Sequence, residues 1–153
     1  MLEYDFDESP GYWLVMAAEA YQRAVNKELA PHGITFRQCQ VLGYLSLEGA
    51  LSQCELADRM RIEPPTLVGI LDRMERDDWI RRESCSDDRR RKRIHPTPDA
   101  EPIWATIAAI GRRVRARSVE GLSDAERAQL KKLLSRVRRN LTSEESIERM
   151  ASS

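Results

Sequence analysis

Residues 52–79 read SQCELADRMRIEPPTLVGILDRMERDDW, and residues 80–97 continue as IRRESCSDDRRRKRIHPT. Ser52-Gln53-Cys54-Glu55 is a capping box, in which a hydroxyl and a carboxylate each take an amide that the first helical turn leaves unpaired. Leu51 and Leu56 flank it as a hydrophobic staple. The helix it starts is short and ends near Met60, with Arg61-Ile62 as the turn. Pro64 suits the first turn of a following helix, where its missing N–H costs nothing. Leu67, Ile70, Leu71 and Met74 then recur at i, i+3, i+4, i+7 and form a core face. Thr66, Gly69 and Arg73 fall on the opposite face, with Val68 and Asp72 flanking. After Trp79 the period changes. Ile80 to Glu83 and Arg91 to His95 read as short extended runs around a polar tip of Ser84, Cys85, Ser86, Asp87 and Asp88.

Outward from this stretch the chain reads as helices. Ser9 caps and Pro10 opens a first helix that runs to about Leu29. Its face of Trp13, Met16, Ala17, Ala20, Ala24 and Val25 is widened by Tyr12, Val15 and Tyr21, which suggests burial on two sides. Thr35 to Gln38 is another capping box, with Ile34 and Cys39 at the staple positions and Gly49 as the stop. Downstream, Thr97 is placed to cap a helix beginning at Pro98 and running to about Val119, with Ile103, Ile107, Ile110 and Val114 in a stripe beside Trp104. Ser123 to Glu126 is a third capping box, and Leu130, Leu133, Leu134, Val137 and Leu141 form a narrow seam on the last helix.

The expected fold is therefore mainly α, six helices plus a small β-hairpin wing, in an intertwined helical dimer. The expected division is 1–34, an arm and dimerisation helix; 35–97, a winged helix-turn-helix lobe; 98–142, dimerisation helices; and 143–153, a frayed tail. The dimer follows from the first and last two helices, which carry more apolar surface than so small a lobe can cover.

Composition bounds the function. The 153 residues suit one domain or two interwoven subdomains, and the formal net charge of +0 gives no bulk attraction to nucleic acid. The charge is uneven, however. Arg81, Arg82, Arg89, Arg90, Arg91, Lys92 and Arg93 stand against Glu83, Asp87 and Asp88, while the first ten residues hold Glu3, Asp5, Asp7 and Glu8 and no positive side chain. Three cysteines with no CxxC or metal-ligand spacing, and no secretory signal, point to a reducing cytoplasm without a metal or cofactor. No apolar run reaches the roughly 20 residues of a membrane span. The sequence has no Gly-rich phosphate loop, HExxH or GxSxG, and two histidines offer little general-base capacity, so an enzyme is not expected.

A helix-turn-helix sets the start of its second helix against the base edges of the major groove. Here that start offers Pro64, Pro65 and Thr66, then Val68, Gly69 and Arg73. Thr66 can hydrogen-bond a base or phosphate, and Pro65 and Val68 can touch a thymine methyl. Arg73 and the Gln53 amide are placed for phosphate. Arg89, Arg90 and Arg91, followed by Lys92, cluster where the ribbon would project, and a narrow minor groove attracts inserted arginine. Asp88 would hold one of these arginines. An ordinary helical hairpin beside a solvated charge run would give a similar pattern, so the two motifs weigh more together than apart.

The stretches Ile62-Glu63-Pro64-Pro65-Thr66-Leu67-Val68, Leu71-Asp72-Arg73-Met74-Glu75 and Ser86 to Ile94 resemble the MarR family of winged-helix regulators, particularly its SlyA-like branch. The similarity extends over about residues 10–141. Two positions depart from the pattern: Gly69, where SlyA-like proteins often carry arginine, and Pro96, where leucine usually follows the wing. The resemblance implies a homodimer whose first, fifth and sixth helices interlock and which binds a pseudo-palindromic double-stranded DNA operator, most often as a repressor. It also implies a small aromatic acid effector in a crevice, for which Trp13, Met16 and Trp104 are candidate walls and His32 or Arg37 a carboxylate partner. Those side chains serve equally as dimer core and solvated surface. Two alternatives remain at this stage: a protein–protein adaptor that does not bind DNA, and a redox-sensing regulator using Cys85 at the ribbon tip, Cys39 reading as a small buried hydrophobe.

Overall fold

The structure is a computed structural model that describes residues 5–84 and 92–151, with side chains described as far as residue 142. The helices are α1 (Pro10–Leu29), α2 (Phe36–Glu48), α3 (Gln53–Met60), α4 (Pro64–Arg76), α5 (Ala100–Ser118) and α6 (Asp124–Ala151), and the strands are β1 (Leu51–Ser52), β2 (Ile80–Ser84) and β3 (Lys92–Pro96). Packing divides the chain into two units, Met1–Val114 and Arg115–Ser153, so α1 and most of α5 belong with the winged helix.

Helix boundaries follow local chemistry. In the Thr35 box the Gln38 N–H donates to Thr35 Oγ1 at 3.2 Å and the Thr35 N–H donates to Gln38 Oε1 at 2.9 Å. In the Ser52 box the return bond, Ser52 N–H to Glu55 Oε2, is 2.7 Å. The Ser123 box repeats the pattern, with 2.7 Å from Ser123 N–H to Glu126 Oε2. α3 stops because Arg61 turns left-handed (φ 49°), letting the Ile62 N–H reach the Ala57 carbonyl at 3.2 Å.

The core of the first unit joins Val25 and Leu29 of α1, Val41, Leu42 and Leu45 of α2, Leu56 and Met60 of α3, and Leu67, Ile70, Leu71 and Met74 of α4. Ile80, Ile94, Ile107, Ile110 and Val114 complete it. The i, i+3, i+4, i+7 face expected for α4 is thus the buried one, which leaves its other face to solvent.

β2 and β3 form the expected hairpin wing, and β1 adds a third strand to it, giving an antiparallel sheet in the order β1-β3-β2. Leu51 pairs with Ile94 and Ser52 with Arg93, so the staple residue also closes the sheet edge. Two residues are too few to show strand periodicity, and their capping role accounts for the same side chains. Thr97 does not cap α5. Its hydroxyl donates to the Asp78 carbonyl, its own N–H donates to the Trp79 carbonyl at 3.1 Å, and α5 begins only at Ala100. Thr97 therefore ties the end of β3 back to the turn before β2.

In the second unit Gly121, at φ 80°, makes the turn into α6. The Arg127 guanidinium holds that turn, donating to the Leu122 carbonyl at 3.0 Å and the Val119 carbonyl at 3.4 Å.

Candidate nucleic-acid interface

The outward face of α4 carries Pro64, Pro65, Thr66, Val68, Gly69 and Arg73, all exposed. A Cβ placed on Gly69 would meet nothing within 4 Å, so that position is open from the protein side. The start of the helix is unusual for a phosphate site. Pro64 and Pro65 carry no N–H, and the N–H groups of Thr66 and Leu67 both donate to the Glu63 carbonyl, at 3.0 and 3.2 Å. The free amides that normally make a helix N-terminus attract phosphate are therefore missing. What remains is ring carbon, a threonine hydroxyl and the methyls of Val68, a surface suited to thymine methyls and base edges. Gln53, half-buried, lies at the first position of α3. Glu55 is held there as a carboxylate, since the Ser52 N–H and then its hydroxyl lower the Glu55 pKa.

The ribbon redistributes the positive charge counted in the sequence. Arg81 Nε meets Glu83 Oε1 at 2.6 Å, and the other Glu83 oxygen lies 3.4 Å from His95 Nε2. Arg82 meets Glu75 at 2.5 Å and Asp72 at 2.6 Å, and is turned away from the role of a free cation. Arg93 donates to the Ala50 carbonyl at 3.1 Å. Lys92 is exposed at the start of β3. Asp88, Arg89, Arg90, Arg91 and Cys85 lie outside the described residues. The Asp72–Glu75–Arg82 cluster was missed by the sequence reading, which counted Arg82 in the basic excess. Its only sequence signal is the i, i+3 spacing of two acids on one helix, with no indication of the strand that meets them.

The five candidate effector residues stand on several elements: Trp13 and Met16 on α1, His32 in the turn that follows it, Arg37 on α2 and Trp104 on α5. Trp13 is 57% exposed, donates Nε1–H to the Asp7 carbonyl at 3.0 Å and stands edge-on to Tyr12. Met16 and His32 are exposed, and the exposed Arg37 donates to Gln40 Oε1 at 2.9 Å. Trp104 lines a cavity of about 430 Å³, with Ser46, Arg81, Pro96, Thr97, Pro98, Ala100 and Glu101. Burial pushes the Cys39 thiol up, which makes it a poor nucleophile. Among the described residues no group of His, Cys, Asp or Glu is placed to hold a metal ion. No helix there is long and apolar enough to cross a membrane.

A family model described as MarR family matches residues 32–91. The transcriptional regulator PA3341 is similar in structure with a TM-score of 0.78 and 30% identity, over 87% of this chain and 98% of that one. A mutant MarR from E. coli, solved in complex with operator DNA, superposes with a TM-score of 0.74 at 24% identity, over 83% of this chain and 91% of that one. BpsR of Bordetella bronchiseptica, whose DNA binding is regulated by 6-hydroxynicotinic acid, superposes with a TM-score of 0.77 at 23% identity, over 90% of this chain and 98% of that one. With helix order, three-stranded wing, matched segment and full-length likeness in agreement, the chain belongs to the MarR family of winged-helix transcriptional regulators.

Proposed function

We propose that the protein is a sequence-specific, double-stranded DNA-binding repressor of the SlyA-like branch, acting as a homodimer on pseudo-palindromic operators. The observation that carries this reading is the exposed face of α4 standing beside a β2–β3 ribbon whose root is tied to the same helix, and whose sequence between the strands runs through Arg89, Arg90 and Arg91. The helix supplies shape and methyl contacts and the ribbon supplies charge. The unpartnered apolar side chains of α1 and α6 supply the dimer surface. The Trp104 cavity is the site we assign to a small aromatic acid that would release the operator; Arg81 and Glu101 both line it, and the acid would have to draw Arg81 from its pairing with Glu83. The acid reported for BpsR is one member of that class.

The test is selection of bound duplexes from a random pool, followed by titration at several salt concentrations. A preferred half-site repeated with two-fold symmetry supports the reading, and equal affinity for all duplexes rejects it. Arg89→Ala with Arg90→Ala is expected to cost about 10-fold or more in affinity with a shallower salt slope. Thr66→Ala is expected to cost less and to relax preference at one base pair. Hydroxylated aromatic acids added to the same titration test the effector, and Trp104→Ala should abolish any release they cause.

A further inference from the structure

Arg82 joins the two parts of the DNA-binding lobe. It lies on β2, and both of its acidic partners lie on α4. Its Nη1 meets Glu75 Oε2 at 2.5 Å, its Nη2 meets Asp72 Oδ1 at 2.6 Å, and its backbone N–H donates to Glu75 Oε1 at 3.2 Å. The side chain is 13% exposed, against 58% for Asp72 and 40% for Glu75. Its Nε is buried with no hydrogen-bond partner.

Such a group is poorly explained by stability alone. Removing charges from water is costly, and an apolar contact of similar volume is often as stable or more so. What the guanidinium adds is geometry. Its planar fork holds two carboxylates in set directions, which a lysine cannot do. Asp72 and Glu75 sit three residues apart on the flank of α4, next to Arg73 of the exposed face. Arg82 pairs across the sheet with Ile94, and the core holds Ile94 in place. The arginine therefore ties the ribbon to the helix in a set direction, and it offsets one of the two negative charges beside the exposed face of α4.

We propose that Arg82 is a positioning residue for DNA recognition: it clamps the root of the β2–β3 ribbon to α4, so that both meet a duplex at one spacing. The proposal rests on the DNA-binding reading above. Three variants test it. Arg82→Met removes the guanidinium, Arg82→Lys keeps the charge without the fork, and Asp72→Asn with Glu75→Gln keeps the arginine and the shapes while removing its acidic partners. In each, affinity for the selected operator is expected to fall about tenfold, with affinity for random duplex nearly unchanged. In the DNA-free variants, amide exchange across Ile80–Ser84 is expected to speed up while the centre of α4 stays protected.

The proposal is overturned if Arg82→Lys binds the operator like the parent. It is overturned too if both affinities fall together and the salt slope drops by about 0.9, as for a lost phosphate contact, or if exchange in β2 is unchanged. Should Arg82→Met fail to fold, the paired amide variant decides. If the parent protein itself shows no operator preference, the regulator reading fails, and the exchange measurement still decides the clamp.

Discussion

Glu63 opens α4 without using its side chain. Its backbone carbonyl accepts the Thr66 and Leu67 amides, while the carboxylate makes no bond into the helix. On the proposed reading, this exposed carboxylate would lie within screening distance of the duplex backbone. Glu63→Ser is expected to change stability by less than about 0.5 kcal/mol, because Pro65 has no N–H for a serine cap to accept and the Thr66 N–H already donates to the residue 63 carbonyl. It should also raise affinity for random duplex, because a repelling charge is gone. A melting curve and an anisotropy titration check both; a lower melting temperature would show that the glutamate contributes to the cap. At this scale the sequence was legible where one residue has one role, as with Pro64 or the buried Leu71. It was not legible for Arg82, whose place among the arginines hid a contact made only when a strand folds back on a helix.

The elements were more legible than the residues that join them. Each capping box expected from the sequence forms, because its chemistry lies within four consecutive positions. β1 was not legible, since its pairing to β3 bridges residues about forty positions apart, and Thr97 was misread because its hydroxyl finds Asp78 rather than the next helix. The same boxes predict a pH response. Hydrogen bonds from Ser52 lower the Glu55 pKa, those from Ser123 lower the Glu126 pKa, and the Arg59 guanidinium lowers that of Glu48. A depressed carboxylate contributes stability that is present above the unfolded-state pKa and lost as pH falls through the folded one. Stability should therefore decline on acidification below the ordinary carboxylate range. Glu55→Gln, which cannot titrate, should make that decline shallower. Melting temperatures of both proteins across the acid range check this, and parallel curves would remove Glu55 from the account.

At the scale of the whole molecule, each unit leaves apolar surface open. Trp13 and Val15 of α1 are 57% and 56% exposed, and Leu133 and Leu141 of α6 are 49% and 63% exposed. Side chains this large, repeated along two helices, call for a partner surface, and on the proposed reading a second copy of the chain would supply one by symmetry. Leu133→Glu with Leu141→Glu is expected to shift the sedimenting species from dimer to monomer. Operator affinity would fall with it, since half-sites would then be bound singly. A dimer that survives the pair of changes would place the interface elsewhere. On the proposed reading, the start of α4 would also affect how such a molecule searches DNA. A helix tipped with two proline rings has no amides there to bind backbone phosphates, so it can pass over non-target duplex without shedding and regaining tight water. Grip and choice are then divided between ribbon and helix. On that reading, substitutions at Thr66, Val68 and Gly69 would change the operator preferred while leaving the hold on DNA largely in place, making the regulator easy to retarget.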